Sequence, residues 1–176
     1  VECYAAMGLE AIAEHLDVKR LLLAVLEGMV GERCCVATNT PAISLTAVAA
    51  QLRRPERLVC MHFCNPVTLM ALVEVISGLA TSLDVADTVF ATATAWGKSP
   101  VHAKSTPGFI VNRVARPFYA EGLRLLSEQP ADAATPDAVM LELGGFRRGP
   151  CELMDRVGRA AQLSVAAPAF SASCGD

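Results

Sequence analysis

Strand-length apolar runs alternate with helical patterns in the first part of the chain, and this order limits the folds open to it. Four such runs predict strands, at residues 34–37, 57–63, 72–76 and 101–104. Apolar spacing and capping residues predict helices between them, at residues 16–30, 45–52 and 84–96. This alternation is typical of βαβ units, and it predicts an α/β fold with a mostly parallel sheet. Runs that are apolar throughout favour strands buried on both faces.

The pattern changes at residues 106–108 (TPG), after which no strand is predicted. A long helix with a kink at Pro117 is indicated by one apolar face, made of Ile110, Val114, Phe118 and Leu125. A second helix begins at residues 135–137 (TPD) and ends at residues 144–145 (GG), and residues 152–157 form a further helical piece. The sequence therefore predicts two domains, an α/β domain over residues 1–104 and a helical one over residues 105–176.

Composition excludes several classes of protein. Apolar residues make up 53% of the chain and charged residues 19%, which is typical of a packed core and not of disorder. Aromatic residues at 5% and a net charge of −3 argue against nucleic acid as a partner. No apolar run reaches the roughly 18 residues of a membrane span, so no membrane partner is expected.

Cysteine usage bears on compartment and on metal binding. An odd total of seven, with Cys34 and Cys35 adjacent, favours free thiols in a reducing cytoplasm over a disulfide framework. Cys60, His62 and Cys64 alternate, but on a strand they would stand about 6.8 Å apart per step. Zinc ligands usually come from turns or helical steps, so we expect no metal.

Three side chains stand out by position. His62 ends a predicted strand, where parallel sheets bind ligands, and it could act as a base; a structural histidine is the alternative. Glu74 lies inside an apolar strand and needs a partner, either the imidazole of His62 or solvent at a sheet edge. Asn112 begins the long helix at the domain boundary, where it could face a cleft or make a local cap.

Longer motifs resemble the 3-hydroxyacyl-CoA dehydrogenases. They are residues 62–66 (HFCNP), 72–75 (LVEV), 105–113 (STPGFIVNR) and 145–155 (GFRRGPCELMD). Residues 96–98 (WGK) and 119–122 (YAEG) are most similar to the bacterial phenylacetate-catabolism branch, which oxidises 3-hydroxyadipyl-CoA. The resemblance implies NAD-dependent oxidation of a 3-hydroxyacyl-CoA in β-oxidation-type metabolism. It also implies a Rossmann-type sheet, a helical domain and a homodimer.

The resemblance assigns roles residue by residue. His62 matches the catalytic base, Glu74 its carboxylate partner, and Asn112 the amide at the reacting oxygen of the substrate. The positions that line NAD around its nicotinamide ribose are matched by Glu14, Lys19 and Asn39.

Several features depart from the family pattern. The family stretch NTSS reads NTPA at residues 39–42, and Pro41 has neither a hydroxyl nor a backbone N–H. The chain begins at Val1 and contains no G-x-G-x-x-G, so we expect an N-terminally truncated fragment whose first βαβ unit, with the glycine-rich turn, is missing. Cys64 and Cys151 stand where the family usually has Phe, and the helical domain is expected to be shortened.

Two hypotheses stay open: a dehydrogenase of which this piece alone is inactive, or a non-catalytic relative that keeps the fold for assembly.

Overall fold

The computed structural model describes residues 5–128 and 132–158. Two compact units are present, Val1–Phe109 and Ile110–Asp176. From residue 5 onward the first unit contains five strands, β1 (Met7–Glu10), β2 (Cys35–Thr38), β3 (Leu58–Phe63), β4 (Leu72–Ser77) and β5 (Ser99–Lys104). Its helices are α1 (Leu16–Met29), α2 (Leu45–Ala49) and α3 (Leu83–Ala95).

The sheet is ordered β1-β2-β3-β4-β5, and each pair of neighbours is parallel except β3 with β4. The mostly parallel sheet is thus confirmed. The one antiparallel pair follows from its connection, residues 64–71, which contains no helix and is too short for a crossover of about a dozen residues. Its register places His62 opposite Glu74.

Strands β2, β3 and β4 are buried on both faces, as their apolar sequences predict. Alternate residues enter two separate core clusters. One contains Leu23, Val36, Leu45, Val48, Leu58, Cys60, Ile76 and Phe109. The other contains Cys35, Ala37, Val59, Met61, Val73, Val75, Val89 and Ala93.

Helix α1 buries a narrower face than its sequence suggests. Leu23 and Lys19, one turn apart, are fully buried. Apolar spacing predicts one face made of Val18, Leu22, Val25, Leu26 and Met29, of which all but Leu26 are exposed and Leu26 packs against the core. Spacing therefore predicted the helix correctly, but most of the predicted face does not pack on the core.

The second unit contains α4 (Val111–Glu128), α5 (Ala134–Glu142) and α6 (Pro150–Val157), and its described residues form no strand. The carboxylate of Asp137 accepts the backbone N–H groups of Cys151 and Glu152, each at 2.8 Å, and so ties α5 to the start of α6. No helix within residues 5–128 and 132–158 is long and apolar enough to cross a membrane. The end of the predicted helical domain, residues 159–176, lies outside the described residues.

Candidate active site

A buried histidine–carboxylate pair lies where β3 ends. The Nδ1 atom of His62 is 2.7 Å from Oε2 of Glu74, which confirms the predicted hydrogen bond. Glu74 is fully buried and His62 is 7% exposed. An ionised carboxylate can only accept, so Nδ1 is the donor, and the neutral form of this imidazole carries its lone pair on Nε2. This arrangement fixes the ring and leaves Nε2 as the basic atom.

Phe109 packs against this imidazole. The two ring centroids are 5.7 Å apart and the planes meet at 62°. Phe109 is 3% exposed and has a φ of 45°, an uncommon left-handed conformation for a residue other than glycine. Phe109 thus places an aromatic ring in T-shaped contact with His62. Sequence reasoning missed Phe109, since nothing in the motif STPGF indicates a positive φ at the phenylalanine.

A second polar cluster occupies the carboxyl ends of β1 and β2. The ammonium of Lys19 is 2.6 Å from Oε1 of Glu10, 3.3 Å from the carbonyl oxygen of Asn39 and 3.8 Å from Oε2 of Glu14. The Thr38 hydroxyl donates to the other oxygen of Glu10 at 2.6 Å. The cluster therefore holds two carboxylates around one buried cation.

The three residues predicted around the nicotinamide ribose differ in accessibility. The side chain of Glu14 is 22% exposed and Asn39 is half-buried, whereas the side chain of Lys19 has no exposed surface. Glu14 also accepts a hydrogen bond from the Thr40 hydroxyl. The structure thus gathers all three, but only Glu14 and Asn39 offer surface to a ligand. Sequence reasoning missed Glu10, although a charge inside a strand-length apolar run was the signal that identified Glu74.

The turn that follows β2 contains Pro41, at which the chain departs from the family stretch NTSS. Pro41 is half-buried, and the Thr40 hydroxyl before it accepts the backbone N–H groups of Ala42 at 3.3 Å and Ile43 at 3.0 Å. Because this hydroxyl also donates to Glu14, its hydrogen-bonding capacity is used within the turn. Position 41 itself offers no side-chain donor.

Two thiols adjoin the histidine on β3. Burial raises the pKa of Cys60 to about 12, and Cys60 is fully buried with its sulfur 3.7 Å from the Thr40 carbonyl oxygen. Burial, and then the charge of Glu74, raise the pKa of the half-buried Cys64. Both thiols are therefore protonated near neutral pH.

Nowhere in the described part of the chain do three His, Cys, Asp or Glu side chains group as a metal site would require.

Asn112, the third predicted catalytic residue, belongs to the helical unit. It is the second residue of α4 and is half-buried. Its approach to a substrate stays a prediction.

Two family profiles match this chain. The NAD binding domain of 3-hydroxyacyl-CoA dehydrogenase matches residues 2–106, and the C-terminal domain of the same enzyme matches residues 108–176. The chain order of the two matches agrees with the α/β unit followed by the helical unit.

Individual relatives agree with these profiles. The chain is 45% identical over 168 residues to the 3-hydroxyadipyl-CoA dehydrogenase of Escherichia coli K12, a match that covers 96% of this chain and 35% of that protein. It is 47% identical over 150 residues to a fatty acid oxidation complex subunit alpha of Psychrobacter cryohalolentis, with 85% and 21% covered. The chain thus spans a minor part of the length of these curated relatives.

Solved structures show the same fold. A 3-hydroxybutyryl-CoA dehydrogenase from Escherichia coli K12 superimposes with a TM-score of 0.91 at 43% identity, covering 98% of this chain and 37% of that one. A (S)-3-hydroxybutyryl-CoA dehydrogenase from Ralstonia eutropha gives 0.90 at 37% identity, covering 97% and 60%. The paired domain profiles, the identities and the folds lead to one conclusion: the chain belongs to the 3-hydroxyacyl-CoA dehydrogenase family.

Proposed function

We propose that this chain supplies the acid–base pair of an NAD-dependent dehydrogenase that oxidises a 3-hydroxyacyl-CoA to the 3-oxoacyl-CoA. The observation that carries the proposal is the 2.7 Å bond between His62 and Glu74, which leaves Nε2 of a buried imidazole as the basic atom. Relatives named for 3-hydroxyadipyl-CoA and for fatty acid oxidation support an acyl-CoA thioester as the substrate.

Glu14 and Asn39 would hold NAD, which would supply the acceptor for the hydride of C3. Nε2 of His62 takes the proton of the 3-hydroxyl as the carbonyl forms. The carboxylate of Glu74 stabilises the imidazolium that results and keeps the ring from turning. Asn112 donates its amide N–H to the reacting oxygen, a role that the family motif around it suggests.

The residues present fit the nicotinamide half of the cofactor. Glu14 and Asn39 lie at the carboxyl ends of β1 and β2, where open α/β sheets bind nucleotides. A carboxylate and an amide with accessible surface can accept and donate hydrogen bonds to ribose hydroxyls. Lys19, which has no exposed side-chain surface, supports both of them from within.

The test uses the 176-residue chain and a chimera. In the chimera, this chain replaces the matched stretch of the 3-hydroxyadipyl-CoA dehydrogenase of Escherichia coli K12. We expect His62→Ala in the chimera to lower kcat for NADH formation from a 3-hydroxyacyl-CoA by roughly 10²- to 10⁴-fold. His102→Ala, which removes a half-exposed histidine on β5, is the matched control and should leave kcat unchanged. Near-normal turnover by His62→Ala would reject the proposal.

A second candidate, a non-catalytic relative retained for assembly, is favoured by Pro41, which leaves position 41 without a hydroxyl. A chimera that folds, binds NADH and stays inactive even after Pro41→Ser would support it. An active chimera rejects it.

We also propose that the helical unit forms a homodimer. Its described residues expose large apolar side chains, among them Val114 of α4 at 73%, and Leu143 at 84% and Phe146 at 49% after the end of α5. Sedimentation equilibrium of the chimera should give twice the mass of one chimera chain. A monomer at micromolar concentration would contradict the proposal.

A further inference from the structure

A buried carboxylate with no role in the chemistry above ends strand β1. Glu10 is 4% exposed and accepts three hydrogen bonds, from the Ile12 backbone N–H at 2.8 Å, the Lys19 ammonium at 2.6 Å and the Thr38 hydroxyl at 2.6 Å. These partners belong to the segment after β1, to helix α1 and to the end of β2. Glu10 therefore joins three segments at the carboxyl ends of the parallel strands.

The Lys19 ammonium is held entirely within the protein. Its side chain has no exposed surface, and its three N–H groups have three acceptors, Oε1 of Glu10 and the carbonyl oxygens of Ile12 and Asn39, the last two at 3.3 Å. A buried cation is stable only where it is paired, so the short bond to Glu10 sets where this ammonium lies.

The fixed ammonium in turn contacts the residues proposed to line the ribose. It bonds the carbonyl of Asn39 and lies 3.8 Å from Oε2 of Glu14, whose other oxygen accepts the Thr40 hydroxyl. Asn39 Oδ1 is 3.4 Å from the backbone N of Phe63, the residue after His62. The Glu10–Lys19 pair thus supports the turn at Asn39 and Thr40, and this turn contacts Phe63 next to His62.

We propose that Glu10 is a positioning residue of this active site: through Lys19 it holds Glu14 and the Asn39–Thr40 turn in the geometry that receives the nicotinamide ribose. The inference rests on the proposed function for its ligand, but the order of the turn can be measured without any ligand.

A second buried ion pair in the same unit provides a matched control. Arg57 is 6% exposed and its guanidinium is 3.6 Å from Glu27, which also accepts the backbone N–H groups of Arg53 and Arg54. None of these contacts involves Glu14, Asn39 or Thr40. Breaking this pair should therefore cost stability without loosening the turn.

The experiment compares melting temperatures and backbone ¹⁵N order parameters of the 176-residue chain and its variants, with no ligand added. Glu10→Gln should lower Tm by roughly 10 °C or more because the buried Lys19 ammonium loses its short ion pair, and Glu10→Gln with Lys19→Met should recover most of that loss. In the double variant the order parameters of Glu14, Asn39 and Thr40 should fall from about 0.85 toward 0.6.

Glu27→Gln should lower Tm and leave those three order parameters at their wild-type values. Thr38→Val, which removes one bond to Glu10 and no charge, should lower the order parameter of Thr40 while the chain stays folded. Wild-type order at all three residues in a folded double variant would overturn the inference. Because no turnover is measured, that result is distinct from a failure of the proposed function, which appears in the activity of the chimera.

Discussion

The proline at position 41 departs from the family stretch NTSS at a place that bears on the chemistry. It stands beside Thr40, whose hydroxyl is already committed to Glu14 and to two backbone N–H groups. We therefore expect the site to lack one donor to the developing alkoxide, a loss worth roughly 2.7–4 kcal/mol in a closed site.

Pro41→Ser in the chimera should then raise the single-turnover rate of hydride transfer by tens-fold or more. Pro41→Ala removes the ring without adding a hydroxyl and serves as the control, with a rate close to that of the parent. Equal rates for the serine and alanine variants, both folded and cofactor-bound, would show that a hydroxyl at this position is not needed.

Cys60 provides a prediction on pH. Its folded pKa of about 12 lies above the ordinary value of 9.0, so burial favours the neutral thiol. The resulting stability is complete below pH 9 and is lost as the pH rises toward 12, because the unfolded thiol ionises first. Urea unfolding should show a loss of stability between pH 8 and pH 10 that is about 1 kcal/mol smaller in Cys60→Ala. The same loss in both proteins would contradict this assignment.

Individual residues also show how far sequence reasoning reaches. Glu74 was found because a carboxylate in an apolar strand needs a partner, and the imidazole of His62 proved to be that partner. Glu10 carries the same signal at the end of β1, but four residues of strand are too few to show a pattern. The positive φ of Phe109 could not be predicted, since such a conformation depends on tertiary packing, here against the core, that the local sequence does not reveal.

At the scale of elements, the alternation of apolar runs predicted the order of strands and helices but not their pairing. The antiparallel register of β3 and β4 is what places His62 opposite Glu74. A one-residue shift would move these side chains to opposite faces of the sheet, so the pair depends on register as much as on residue type. Helix α1 was itself predicted correctly, but the spacing of its apolar residues did not indicate which face of the helix packs on the core.

Helix α4 gives a stability prediction. A Cβ at Gly122 would lie 2.7 Å from Cβ of Pro150, so Gly122→Ala should destabilise the chain by about 1–3 kcal/mol despite the higher helix propensity of alanine. Gly28→Ala in α1 is the control, since its Cβ would meet nothing within 4 Å, and it should stabilise by about 0.5–1 kcal/mol. Chemical denaturation of both variants measures these changes in the free energy of unfolding. A Gly122→Ala variant as stable as the parent would mean that α4 and α6 can separate at no cost.

At the scale of the whole molecule, the 176 residues carry groups that suit the nicotinamide half of NAD and contain no G-x-G-x-x-G for its pyrophosphate. We therefore expect this chain alone to bind NADH weakly, with no saturation below millimolar concentrations in calorimetry. Nicotinamide mononucleotide should bind about as well as the dinucleotide. Micromolar affinity for NADH would contradict this expectation.

The central claim is that His62 and Glu74 act as one unit in the chemical step. The most direct measurement is single-turnover NADH formation by the chimera bearing His62→Ala, Glu74→Gln, or both. Because Glu74 acts through the imidazole, we expect the double variant to be no slower than His62→Ala alone. A double variant slowed by the product of the two single effects would contradict it.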